Sequence, residues 1–142
     1  IISPDMFRRF ALPRYRRIAD LAASYGYTQI SVDSDGDIRA LLPLWLEGGV
    51  NLFWPLEAQA GMDVNELQAQ YPDRAIWMGN IHKHRLTGGE DAIAKELRRL
   101  KPAVERGGYI PTLDHCCPPD VSFENFRAYL RLRREVLGLG AR

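Results

Sequence analysis

The chain has 142 residues, enough for one domain with a real core, and its 46% hydrophobic and 26% charged content is ordinary for a water-soluble fold. A net charge of +1 excludes a strongly basic nucleic-acid binder: Arg8-Arg9, Arg14, Arg16-Arg17, Arg98-Arg99 and Arg131-Arg133-Arg134 all fall in helical patterns and read as solvated helix faces. No apolar run approaches membrane-spanning length, no signal peptide is visible, and the two cysteines are adjacent and make no disulfide framework, so a reducing cytoplasm is the expected compartment.

Ser3-Pro4 opens a helix, with Ser as cap and Pro in the first turn. Phe7, Phe10 and Ala11 form its apolar stripe, and Pro13 is expected to break or kink it. A second helix carries Tyr15, Ile18, Leu21 and Ala22 on one face and ends at Gly26. Thr28 to Val32 reads as the first strand, followed by the acidic loop Asp33-Ser34-Asp35-Gly36-Asp37 and a helix from Ile38 to Glu47. Gly48-Gly49 closes that helix, and Val50 to Leu56 is a nearly continuous apolar strand with Glu57 at its end.

Asp63 and Glu66 have capping-box spacing and open a short helix to about Tyr71. Ala75 to Met78 is the third strand, running into Gly79-Asn80-Ile81-His82-Lys83-His84. Thr87 and Glu90 suggest another capping box, for a helix to about Arg106 whose apolar positions are Ile93, Leu97, Leu100 and Val104, with Pro102 expected to kink it. Tyr109 to Leu113 is the fourth strand. Pro118-Pro119 stops regular pairing, and Ser122 caps the last helix, with Val121 and Phe126 as a hydrophobic staple. Trp45, Trp54 and Trp77 read as core.

Four strand-helix units in a row predict an α/β fold with parallel strands and right-handed crossovers, either a doubly wound sheet or part of a barrel. In either architecture the carboxyl ends of the strands share a face. The polar set there is Asp33 and Asp35, then Glu57, then Asn80 and His82, then Asp114 and His115. His115 is the first candidate, because imidazole gains and loses a proton near neutral pH; the alternative is a loop histidine with satisfied hydrogen bonds. His82-Lys83-His84 reads either as a grip on an anionic substrate or as an exposed basic turn. Cys116-Cys117 cannot close a four-sulfur metal site, and a bridge between neighbours is strained.

The segment Gly107 to Phe126 resembles the carboxy-terminal end of the uroporphyrinogen decarboxylase superfamily, which also contains cobalamin-dependent methyltransferases. Ile2-Ser3-Pro4-Asp5-Met6-Phe7, Ser31-Val32-Asp33-Ser34-Asp35-Gly36, Leu44 to Val50, Trp54-Pro55-Leu56-Glu57 and Gly79-Asn80-Ile81 agree with it in order. The resemblance implies one domain over 1–142, the second half of a TIM-type (β/α)8 barrel. His115 matches a histidine near the end of the decarboxylases and stands about where the methyltransferase branch has a zinc-binding cysteine. Asp33-x-Asp35 falls where that branch has a His-x-Cys zinc pair, and His82 replaces the Asp of the decarboxylases' Gly-Asn-Leu-Asp.

On this resemblance the expected catalytic residues are His115, Asp35 and Glu57, and the substrate-binding residues Asn80, His82 and Lys83. Asp33, Asp35 and His115 would be the ligands of zinc or another divalent metal. The reaction would be decarboxylation of a tetrapyrrole side chain, or methyl transfer with a corrinoid carried on a partner protein. The residues that grip substrate in the decarboxylases lie largely in the amino-terminal half, so this chain is expected to be weak or inactive alone. The other reading is a non-catalytic half-barrel module. Unpaired edges at Thr28 to Val32 and Tyr109 to Leu113, with Val50, Leu52, Phe53 and Trp54 uncovered, would favour a homodimer or pairing with a missing amino-terminal barrel half.

Overall fold

Strand-helix alternation in the sequence becomes a four-stranded, all-parallel sheet whose strands lie in chain order. The computed structural model describes residues 2–139. The elements are α1 (Pro4–Met6), a π-helical turn (Phe7–Ala11), α2 (Leu12–Ser24), β1 (Ser31–Asp33), α3 (Leu42–Glu47), β2 (Leu52–Leu56), α4 (Val64–Gln70), β3 (Ile76–Ile81), α5 (Gly89–Arg106), β4 (Tyr109–Leu113) and α6 (Phe123–Leu137). Short 3-10 turns at Ala58–Ala60 and Lys83–Gly88 lead out of β2 and β3. This is an α/β fold consistent with a TIM-barrel-like half.

Pro13 does not break the first helix. It sits in the first turn of α2, directly after the π-helical turn, in which the Leu12 N–H reaches the Phe7 carbonyl. The wider turn fits a proline that has no N–H to give. It also changes which side chains face inward. Phe7 and Leu12 are buried, with Phe7 edge-on to Trp45 at 5.4 Å, whereas Met6, Phe10, Ile18 and Leu21 lie exposed. Of the two expected apolar stripes, Phe7, Ala11 and Tyr15 meet the core, while Phe10, Ile18 and Leu21 face outward.

The first strand begins three residues later than its apolar pattern suggests, because a side chain occupies the ladder before it. Asn51 Oδ1 accepts from Ile30 N (2.9 Å) and its Nδ2 donates to the Thr28 carbonyl (2.7 Å). The following helix starts at Leu42 rather than Ile38. Pro43 supplies a first-turn residue with no donor to satisfy, and Asp37 holds the preceding residues in a turn by accepting from Arg39 N at 3.0 Å.

Pro55 lies within β2: the Trp54–Pro55 peptide is cis, and the register with β3 shifts between Phe53 and Leu56. Strand β3 runs past Gly79 to Ile81 instead of stopping at Met78. Gly79 has φ +105°, and a Cβ there would lie 2.9 Å from Leu56 N, so only glycine lets β2 and β3 approach this closely. The Thr87–Glu90 capping box does not form. Thr87 Oγ1 donates to the His84 carbonyl within the 3-10 turn, and Gly88 takes the cap position of α5. Pro102 lies inside α5, which continues unbroken to Arg106. Asp63 and Ser122 cap their helices as expected, accepting from Asn65 N (2.7 Å) and Asn125 N (3.2 Å).

The core lies between the sheet and its helices. Phe53 stacks on Trp77 at 5.3 Å, with Leu42, Leu56, Val64, Ile93, Leu97 and Leu100 fully buried around them. Val50 and Phe53 belong to this core, so they are not uncovered as the barrel analogy suggested. The other sheet face is open: Val32, Leu52, Trp54 and Met78 line a shallow apolar hollow of about 220 Å³. Trp45 and Trp77 are core, while Trp54 is half-buried on this open face. Among the described residues no helix is long and apolar enough to cross a membrane.

Candidate functional site

Parallel strands bring every strand-to-helix loop to the same end of the sheet, and three side chains tie those loops together. Asp114, at the end of β4, is fully buried. Its Oδ2 accepts from Ala58 N at 3.1 Å and its Oδ1 from Lys83 N at 3.2 Å, so one carboxylate holds the loops that follow β2 and β3. Glu57 Oε2 accepts from Gly36 N at 2.8 Å and joins the end of β2 to the acidic loop after β1. His115 closes the set. Its Nε2 is 3.2 Å from Asp35 Oδ1, and its Nδ1 is 3.7 Å from Asp114 Oδ1.

The buried Nδ1 of His115 has no hydrogen-bond partner, and the Asp35 side chain is 71% exposed. The pair thus combines a proton-carrying ring with an exposed carboxylate on one nitrogen and a buried carboxylate near the other. An imidazole so placed can be held in one orientation and can accept or deliver a proton at Nε2. Asp35, Glu57 and His115 share this cluster. Asp33 is exposed and faces the hollow beside Trp54.

Among the described residues no three His, Cys, Asp or Glu side chains converge at metal-ligating spacing. Asp35 and His115 supply two donors, and Asp33 does not join them. The residues present do not fit a tetrahedral zinc centre. Cys116 and Cys117 are free and exposed.

The three residues expected to bind substrate go to different places. Asn80 is fully buried, with φ +62°. Its Nδ2 donates to the carbonyls of Leu56 (3.1 Å) and Met62 (2.7 Å), and its Oδ1 accepts from Val64 N (3.1 Å), so its amide is engaged within the protein. Lys83 contributes its backbone N–H to Asp114, with a half-buried side chain. His82 lines a separate cavity of about 340 Å³ with Asp63, Glu66, Arg85, Glu96 and Arg99.

That second cavity rests on an ion-pair network absent from the expected site. Glu96 is buried, accepts from His82 N at 3.1 Å, and pairs with Arg99 at 2.6 Å. Arg99 also reaches Asp63 at 3.1 Å and the Asn80 carbonyl at 2.8 Å. Arg99 is therefore half-buried and committed, not part of a solvated arginine face. A signal was present: Glu96 lies three residues after Ile93 and next to Leu97, on the apolar side of α5, where a charge needs a partner.

Burial holds the His82 pKa below its ordinary 6.5, against the opposing pull of Asp114 and Glu96. A histidine with a depressed folded-state pKa stabilises the fold fully above 6.5 and loses that contribution as pH falls toward its folded value. Stability is thus expected to drop on acidification from pH 7 through the window just below 6.5, and His82→Gln should flatten that part of the curve. Urea midpoints for both proteins between pH 7 and pH 5 would test this; superimposable curves would show that His82 does not couple to folding.

The whole-chain comparisons agree with the topology. The family model described as uroporphyrinogen decarboxylase (URO-D) matches residues 1–136. A uroporphyrinogen decarboxylase of Syntrophotalea carbinolica is 30% identical over 129 residues, which cover 88% of this chain and 35% of that protein. A solved methyltransferase from Methanosarcina mazei superimposes with a TM-score of 0.68 at 24% identity, over 95% of this chain and 38% of its own, a likeness of fold. The chain therefore spans little more than a third of each of these relatives. With the family model covering nearly the whole sequence, the chain belongs to the uroporphyrinogen decarboxylase (URO-D) family.

Proposed function

We propose that this chain carries the proton-transfer end of a decarboxylase-type barrel site and is weak or inactive alone. The observation that supports the reading is the 3.2 Å approach of His115 Nε2 to Asp35 Oδ1 at the shared strand-end face. When a carboxylate leaves as CO₂, the carbon keeps the electron pair of the broken C–C bond and must take up a proton. His115 can deliver one from Nε2, with Asp35 orienting the ring and Glu57 holding the acidic loop in place. The substrate class would be a polycarboxylate tetrapyrrole. Methyl transfer involving a corrinoid on a partner protein is the alternative within the family, and the Asp35–His115 donor pair lacks the third ligand that zinc activation of a thiol would need.

Coverage supports the expected inactivity: the chain spans 35% of the decarboxylase it matches, and family resemblance puts the substrate-gripping residues largely in the other half. Two assays separate the branches: uroporphyrinogen turnover read by chromatography, and demethylation of methylcobalamin with a thiol read by absorbance. Neither is expected to proceed with this chain by itself, and turnover in either would overturn the inactivity. Binding of the oxidised, fluorescent uroporphyrin tests the site directly. His115→Ala should weaken it roughly tenfold, the effect of losing one hydrogen bond to a charged group. Equal binding by the variant would remove His115 from the site.

A self-associating, non-catalytic module is the second reading, favoured by the exposed row Met6, Phe10, Ile18 and Leu21 together with the open sheet face. It entails a dimer by light scattering at low micromolar concentration; a well-folded monomer would count against it.

A further inference from the structure

Cys116 and Cys117 are both free and both exposed, and they follow His115 directly on the loop that leaves β4. In an extended strand neighbouring side chains point to opposite faces. Here the strand has ended at Leu113 and the chain bends through Asp114–Cys116, so that constraint is lifted. Cys117 Sγ lies 3.8 Å from the Pro118 carbonyl, and Pro118-Pro119 limits the backbone on the far side. Two soft donors thus sit one peptide apart in solvent, on a short restrained segment.

A direct disulfide between such neighbours closes a small ring around a planar peptide and is strained. Inserting one large thiophilic atom enlarges the ring and lets the sulfurs stand apart. We propose that Cys116–Cys117 is a dithiol capture site for a soft trivalent centre with two exchangeable oxygen ligands, of which a monosubstituted arsenical is the chemical type. Capture is a ligand exchange. Two arsenic–sulfur bonds form and two arsenic–oxygen bonds break. The two thiol protons leave with the hydroxyls as water, and no atom is oxidised or reduced. The site is independent of the catalytic reading above, since it uses neither Asp35 nor the His115 ring.

The probe is phenylarsine oxide, which hydrates in water to a dihydroxyarsine. Intact-mass measurement of the whole chain should show one adduct per chain, retained against excess mercaptoethanol and removed by dimercaptopropanol. Cys116→Ser and Cys117→Ser each leave one thiol, and retention against the monothiol should fall on the order of a hundredfold, the loss expected when a linked second contact is removed. Both positions are exposed, so circular dichroism of the variants should match the parent. Loss of the parent's adduct to mercaptoethanol, addition of two arsenicals per chain, or equal retention by a single-serine variant would each overturn the proposal.

Discussion

Asn80→Ala is expected to cost about 3–5 kcal/mol of unfolding free energy, enough to consume much of a small domain's stability. Asn80 is a buried junction between elements far apart in sequence. Its amide bonds Leu56 at the end of β2, Met62 in the following loop and Val64 at the start of α4, while its own carbonyl accepts from Arg99 on α5. Alanine would leave two buried carbonyls and one N–H without partners, each costing roughly 1–3 kcal/mol with partial relaxation. It would also place a Cβ-bearing, non-amide residue at φ +62°, where asparagine is better tolerated. Asn80→Gly separates the two contributions: it loses the same bonds but not the backbone compatibility, and should recover about 1 kcal/mol relative to alanine. Guanidinium unfolding of the three proteins measures both differences. A cost for alanine below about 1 kcal/mol would mean that water replaces the amide and the junction is not structural.

Arg99→Ala is expected to cost about 2–4 kcal/mol, for a different reason. Glu96 would be left buried with its charge, holding only His82 N, after losing two contacts from the guanidinium at 2.6 and 3.2 Å. The figure sits at the lower side of what breaking a buried pair costs because the Arg99 side chain is 33% exposed, so solvent can partly take its place. Glu96→Gln in the Arg99→Ala background should restore part of the loss by removing the stranded charge. A double-mutant cycle with coupling of about 1–3 kcal/mol is the expected signature. Additive costs would show that the two residues act separately. Because Glu96 positions the His82 backbone, the same cycle should shift the His82 ring resonances, whereas the exposed pair of Arg131 with Glu135 should affect neither stability nor His82.

Periodicity, caps and spacing in the sequence were sufficient to determine the succession of strand-helix units, their parallel arrangement and the caps Asp63 and Ser122. These depend on contacts within a few residues and on the rule that short crossovers return strands in parallel. The stretch Gly107 to Phe126, with the segments around Ser31 to Gly36, Trp54 to Glu57 and Gly79 to Ile81 in order, also placed the chain in its family. Tertiary structure decided the rest. Whether a polar residue at a strand end serves a ligand or the fold depends on which backbone donors and acceptors other elements bring to it. Asn80 and Asp114 meet N–H groups and carbonyls from distant loops and are engaged by them, whereas Asp35 and His115 meet each other at the surface. The same holds for the apolar residues of the first helix: the π turn before Pro13 sets which of them face Trp45 and which face solvent, and no helical repeat encodes that rotation.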